Sequence, residues 1–148
     1  MLFADTSALI KLYVSEPGSR AMRELAADTV AVSALAWPEA MATFGRRLRE
    51  GLDDAPRHRA RVRQLEQDWP TYLRVALSEP VLKRVADLCA WHPLRAGDAI
   101  QLASALLLKD AGVPVSFASG DLRLNQAAAA EGLEVLSPLH DPPRSEAV

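Results

Sequence analysis

Short apolar runs alternate with longer helix-patterned segments along this chain, and that alternation restricts the fold more than any other feature. Residues 2–4 form an apolar run stopped by Asp5-Thr6-Ser7, residues 30–32 one closed by Ser33, and residues 115–118 one that leads into Ser119-Gly120. Residues 133–136 read as a last strand and residues 72–76 as a short extended piece. Between them the pattern predicts helices over 6–14, 19–27, 34–50, 55–69, 79–91, 96–110 and 121–131. Pro17-Gly18, Gly51, Pro70, His92-Pro93 and Gly112 punctuate these segments, and Pro38 falls in a first helical turn, where proline is tolerated. Strands this short and this apolar suit a sheet covered on both faces. The expectation is a three-layer α/β/α sandwich around a mainly parallel sheet.

With 148 residues the chain is long enough to close one real hydrophobic core. One domain over residues 1–137 is expected, followed by a loose polar and proline-rich tail over 138–148. The formal net charge of −2 excludes binding of a polyanion by bulk charge, so any nucleic-acid surface has to arise from local clustering of arginine and lysine. The single cysteine, Cys89, allows no internal disulfide, and with only three histidines a structural zinc site is not expected. The early apolar stretch is interrupted by Asp5 and Lys11, unlike a signal peptide, and the apolar helix near residues 99–108 is too short to span a bilayer. A cytoplasmic location is the resulting expectation. Walker loops, glycine-rich dinucleotide loops and Gly-x-Ser-x-Gly are absent.

Ligands of open parallel sheets bind beyond the carboxyl ends of the strands. Asp5 and Asp121 fall there, and Glu39 and Asp98 open helices whose N-termini face the same kind of crevice. Each acid also has an ordinary reading. Asp121 caps a helix, Asp98 meets a helix dipole, and Asp5 belongs to an Asp-Thr-Ser turn. Glu39 is the hardest to dismiss, because its neighbours Ala36, Ala40, Met41 and Ala42 are apolar and raise the cost of a buried carboxylate.

Asp5-Thr6-Ser7-Ala8-Leu9, Glu39, the segment from Leu94 to Ala103 (Leu-Arg-Ala-Gly-Asp-Ala-Ile-Gln-Leu-Ala), and Ser119-Gly120-Asp121-Leu122-Arg123-Leu124 together resemble the PIN-domain nucleases, and among these the VapC-like toxins of bacterial toxin–antitoxin pairs. The resemblance spans residues 1–136. It implies that Asp5, Glu39 and Asp98 are the core metal-binding acids and Asp121 a fourth, more variable one. Ser7 and Ser119 would supply hydroxyls that orient a carboxylate or metal-bound water. It also implies Mg²⁺ or Mn²⁺ as cofactor, RNA as substrate, cleavage by metal activation of water, a cognate antitoxin as partner and a homodimer. Gly97 and Gly120 depart from the commonest form; Gly97 replaces a larger residue, and Gly120 is expected to loosen the loop of the fourth acid. Hard cations take oxygen ligands, so the scarcity of histidine fits this chemistry.

Arg46, Arg47, Arg49, Arg57, Arg59, Arg61 and Arg63 crowd one helical hairpin. They read equally as a phosphate-binding surface and as solvated helix faces paired with Glu50, Asp53, Asp54 and Glu66; the resemblance adds antitoxin docking. Trp37, Trp69, Trp91 and Cys89 are expected in the core, and His92 as a helix C-cap. Arg95 and Arg123 either reach the scissile phosphate or pair with an acid. Two other functions fit part of the pattern. A receiver-like Mg²⁺-binding signalling domain needs adjacent acids after the first strand, and Asp5 has no acidic neighbour. The other is a non-catalytic module that binds RNA or a partner.

Overall fold

A computed structural model describes residues 1–140. Five strands, β1 (Leu2–Ala4), β2 (Val30–Ser33), β3 (Leu73–Val75), β4 (Ser116–Ala118) and β5 (Glu134–Val135), form one sheet in the order β3-β2-β1-β4-β5. Every pairing is parallel: Leu2 lies opposite both Val30 and Ser116, Ala31 opposite Leu73, and Phe117 opposite Val135. The helices are α1 (Thr6–Ile10), α2 (Ser19–Leu25), α3 (Ala36–Arg49), α4 (Ala55–Asp68), α5 (Glu79–Trp91), α6 (Ala96–Asp110) and α7 (Leu122–Ala130).

The period of two along each strand divides the core into two layers. Leu2, Ala4, Val30, Val32 and Ala118 join Leu9, Met22, Phe44 and Leu65 on one face. Phe3, Ala31, Val75 and Phe117 join Val81, Leu88, Leu102, Leu106 and Leu124 on the other. Alternate residues of one strand thus feed opposite cores, which is why the strands are apolar throughout. The Phe3 and Phe117 rings stack across β1 and β4, 5.7 Å between centroids. Helix α6 buries Ala99, Leu102, Ala103, Ala105 and Leu106 together with Gln101 and Ser104. The alanines let its backbone approach the sheet, and the two polar side chains then need partners inside the protein.

Several boundaries differ from the sequence reading. Helix α1 ends at Ile10, because the chain tightens into three-residue turns, Leu12 N–H to Leu9 O and Tyr13 N–H to Ile10 O. Trp69 begins a 3₁₀ turn, Trp69–Thr71, rather than closing α4. Trp37 and Trp69 pack edge to face at 5.2 Å against the first core layer, as expected. Trp91 and Cys89 do not belong to the core: Trp91 is 81% exposed and Cys89 is exposed. Helix α5 buries only Val81 and Leu88 fully; Cys89 lies about 100° round from Leu88, and Trp91 is the last residue of the helix. The His92 backbone N–H does cap α5 by bonding Leu88 O, while its ring bonds Glu131 at 2.7 Å.

Pro138 is fully buried. Gly18 has φ +89°, and a Cβ there would stand 1.9 Å from the Pro138 carbonyl oxygen, so only glycine leaves room for that crossing. The first residue of the expected tail therefore packs on the domain; residues 141–148 lie outside the described residues. Among the described residues, no helix is long and apolar enough to cross a membrane.

Candidate active site

Strands β1 and β4 are neighbours, although the chain between them visits β2 and β3 on one side before crossing to β4 and β5 on the other. This is a topological switch point, where parallel strands leave an open crevice at their carboxyl ends. Asp5 follows β1 at that point and caps α1. Its Oδ1 accepts from the Ala8 N–H at 2.9 Å and from the Ser7 hydroxyl at 2.7 Å; its Oδ2 accepts from the Ser119 hydroxyl at 2.8 Å. Asp5 is only 5% exposed. Burial pushes its carboxyl up to about 6, against the opposing pull of the Ala8, Ser7 and Ser119 hydrogen bonds, with the charge of Asp98 adding to the rise.

The loop after β4 is bound to the start of α1. The Gly120 N–H donates to Ser7 Oγ at 2.8 Å, and the Asp121 N–H to Ser119 Oγ at 2.9 Å. Gly120 therefore ties the loop down where loosening was expected. Asn125 adds a further tie, its Nδ2 donating to the Ser119 carbonyl at 2.9 Å. Asp121 caps α7 through the N–H groups of Arg123 and Leu124, so its ordinary role and its place at the crevice coexist.

Glu39 sits in the first turn of α3. Its Oε1 accepts from the Thr6 hydroxyl at 2.7 Å and from Gln101 Nε2 at 2.8 Å. A Cβ on residue 97 would stand 3.2 Å from Glu39 Oε2, so Gly97 leaves that oxygen room. Asp98, in the first turn of α6, has its carboxyl raised by burial and then by the neighbouring charges of Asp121 and Glu39. Glu39, Asp98 and Asp121 line one cleft of about 510 Å³ with Gly97, Pro93, Arg95 and Arg123. Asp5 is nearly sealed and does not line it, yet its charge couples to Asp98. Among the described residues no three acid, histidine or cysteine side chains already close on one point as a preformed ion cage.

The sequence reading did not single out Thr6, Gln101 or Asn125. Gln101 carried the one usable signal: an amide three residues past Asp98, on a helix made mostly of alanine and leucine, needs a buried partner.

The arginine hairpin resolves into two groups. Arg47 and Arg61 both bind the buried carboxylate of Asp53, whereas among the described residues Arg46, Arg49, Arg57, Arg59 and Arg63 form no ion pair. Asp54 caps α4 through the Arg57 N–H. Arg95 and Arg123, at the rim of the acid cleft, likewise form no ion pair within the described residues.

Known proteins share this architecture. Two Mycobacterium tuberculosis proteins, Ribonuclease VapC45 and Ribonuclease VapC49, are each 34% identical over 144 residues, covering 96% of this chain and 99% of their own. A solved toxin–antitoxin complex from Klebsiella pneumoniae contains a chain that superposes with a TM-score of 0.69 at 18% identity, over 95% of this chain and all of that one. The family model described as PIN domain matches residues 2–130. A match of that extent shows that the chain belongs to the PIN domain family.

Proposed function

We propose that this protein is a metal-dependent endoribonuclease, the toxin of a toxin–antitoxin pair, with Asp5, Glu39, Asp98 and Asp121 as the groups that hold Mg²⁺ or Mn²⁺. The observation that carries the reading is the gathering of these four carboxylates, from four separate segments of the chain, around the crevice beyond β1 and β4. The donor set fits a hard divalent cation, since it offers carboxylate oxygens and neither thiolate nor imidazole. Without a cation these carboxylates are costly to keep charged: burial raises the Asp5 and Asp98 carboxyls, and the neighbouring acid charges add to the rise. Such a cation, when bound, lowers the pKa of a coordinated water and offsets charge on the attacked phosphate.

The protein's own side chains supply the rest. Ser7 and Ser119 hold both oxygens of Asp5 in place. Arg95 and Arg123 offer planar cationic donors to phosphate oxygens at the cleft rim. Similarity to ribonucleases supports RNA as the substrate, and the toxin–antitoxin neighbour supports a cognate antitoxin as partner; the proposal includes a homodimer and a cytoplasmic location.

Incubation of the purified protein with total RNA tests this. Cleavage is expected with Mg²⁺ or Mn²⁺ and none with EDTA. Cleavage that survives EDTA overturns the metal-dependent reading, and RNA binding without cleavage under any metal favours a non-catalytic module.

The five hairpin arginines outside the Asp53 cluster supply electrostatic affinity for RNA. Arg46 and Arg49 lie on the same helix as Glu39, roughly 10–15 Å along its axis. Replacing Arg57, Arg59 and Arg63 together with Gln is expected to weaken RNA binding and to reduce the salt slope by about 0.7 for each phosphate that is no longer neutralised. The check is the dissociation constant measured across a salt series. An unchanged slope would assign the hairpin to solvent or to a protein partner.

A further inference from the structure

Among the described residues, the Glu39 carboxylate is held through one oxygen, Oε1. Gln101 is 2% exposed, and its Nε2 donates to both Glu39 Oε1 at 2.8 Å and Thr6 Oγ1 at 2.9 Å. The Thr6 hydroxyl, also buried, donates to the same Glu39 oxygen at 2.7 Å. The three side chains come from α1, α3 and α6 and form a closed ring of hydrogen bonds. Its directions are determined: the carboxylate can only accept, so the amide must present its nitrogen and the hydroxyl must give its proton to Glu39. Gln101 Oε1 is then left buried with no hydrogen-bond partner among the described residues. A buried acceptor without a partner destabilises the fold, and an apolar residue of similar size would avoid that cost on a helix that otherwise buries alanine, leucine and Ser104. The bonds that the amide makes go to Glu39 Oε1 and Thr6 Oγ1.

We infer that Gln101 and Thr6 are positioning residues that together fix Glu39 Oε1 and leave Oε2, beside Gly97 in the acid cleft, as the oxygen offered to the divalent cation. Neither touches the substrate; both act through Glu39. This rests on the proposed role of Glu39 as a metal-holding acid. Two bonds from different helices restrict the carboxylate to one rotamer, so the cation does not have to order it on binding. Gly97 belongs to the same device, since Oε2 occupies the space that a side chain at 97 would contest.

The experiment is a titration of the metal-free protein with Mn²⁺, following free Mn²⁺ by electron paramagnetic resonance, beside thermal unfolding in EDTA. The proteins compared are wild type, Gln101→Met, Thr6→Val, Thr6→Ser, the Gln101→Met/Thr6→Val double variant and Glu39→Gln. Gln101→Met and Thr6→Val are each expected to weaken Mn²⁺ binding about 10-fold. The double variant should lose less than the product of the two, because both act on one oxygen. Thr6→Ser, which keeps the hydroxyl, should retain wild-type affinity. Gln101→Met should melt no lower than wild type in EDTA, a result that a merely structural amide would not give. Should that variant fail to fold, the near-isosteric Thr6→Val still decides. Wild-type affinity in Gln101→Met and Thr6→Val, with loss in Glu39→Gln, overturns the inference and leaves the metal reading standing. Wild-type Mn²⁺ affinity in Glu39→Gln itself overturns both.

Discussion

Asp5→Asn is expected to lower RNA cleavage by about 100-fold or more, through loss of the anionic metal ligand proposed above, while the metal-free variant melts no lower than wild type at pH 7.5. The second half of this expectation comes from the burial of Asp5. Its carboxyl is raised to about 6 in the fold, against about 3.9 for an unfolded chain. The folded state therefore binds the proton more tightly than the unfolded state. That contribution to stability is fully present below the unfolded value, near 4, and is lost as pH rises through about 6. Above pH 6 the fold forgoes roughly 3 kcal/mol relative to a protonated Asp5. Asp98, raised in the same direction, adds to the effect.

Asparagine is neutral and nearly the same shape. Its oxygen can go on accepting from Ala8 and Ser7, and its amide nitrogen can donate to Ser119 Oγ. The Ser119 hydroxyl hydrogen is then free to turn toward Ser7 Oγ, 3.2 Å away. Wild type in EDTA should melt higher at pH 5 than at pH 7.5 on this account, and Asp5→Asn should flatten the difference. Excess Mn²⁺ should close most of the gap between wild type and variant at pH 7.5, since a hundredfold excess over the dissociation constant stabilises wild type by about 2.7 kcal/mol. Paired melts at the two pH values, with EDTA or Mn²⁺, together with a cleavage time course, check all of this. A variant that cuts RNA at the wild-type rate, or that melts several degrees lower in EDTA at pH 7.5, would remove Asp5 from the role assigned to it.

The parts of this molecule legible in its sequence are those set by local pattern. Apolar runs such as Val30–Val32 could only be buried on both faces, and punctuation at Gly51 and Gly112 marked real helix ends. The four acids were candidates from their positions after strands and at helix starts, together with the resemblance to known nucleases, and the structure brings Glu39, Asp98 and Asp121 to one cleft with Asp5 buried beside it. Long-range pairing was not legible. Ser7 and Ser119 meet across more than a hundred residues because β1 and β4 are neighbours, and the strand order is a property of the assembled sheet. Gln101 read as a mere interruption of an apolar helix, since a sequence does not display what a buried amide will face. Trp91 and Cys89 were misread for a related reason: apolar composition favours burial, but α5 has only one side to bury.

Asp53 shows a second use of a buried aspartate, and Asp53→Ala should lower stability by about 3 kcal/mol with the chemistry of the cleft left in place. Asp53 is 4% exposed, in the turn between α3 and α4. Its Oδ2 accepts from Arg47 Nε at 2.8 Å and from Arg61 Nε at 3.0 Å, and its Oδ1 accepts from Arg61 Nη2 at 2.9 Å. Arg61 also donates through Nη1 to the Tyr13 carbonyl, so one carboxylate joins α3, α4 and the turns that follow α1. Hydrogen bonds from Arg61 and then Arg47 hold its carboxyl far below the usual carboxylate range. Alanine would leave two largely buried guanidinium groups without their anion; because both keep some contact with water, the cost belongs at the lower end of the range for broken buried pairs. For a domain of this size that is a fall in melting temperature of roughly 6–12 °C. The pH dependence runs opposite to that of Asp5: a depressed carboxyl stabilises the fold above about 4 and loses that contribution as pH falls through its folded value. Wild type should therefore lose more stability than Asp53→Ala on acidification below pH 4. Because Asp53 does not line the acid cleft, RNA cleavage by the variant well below its melting temperature should stay within a few-fold of wild type. Differential scanning calorimetry and a cleavage assay at 15 °C separate the two effects. A melting temperature within 2 °C of wild type would mean that the arginines find other partners, and would return Arg47 and Arg61 to the set available for RNA.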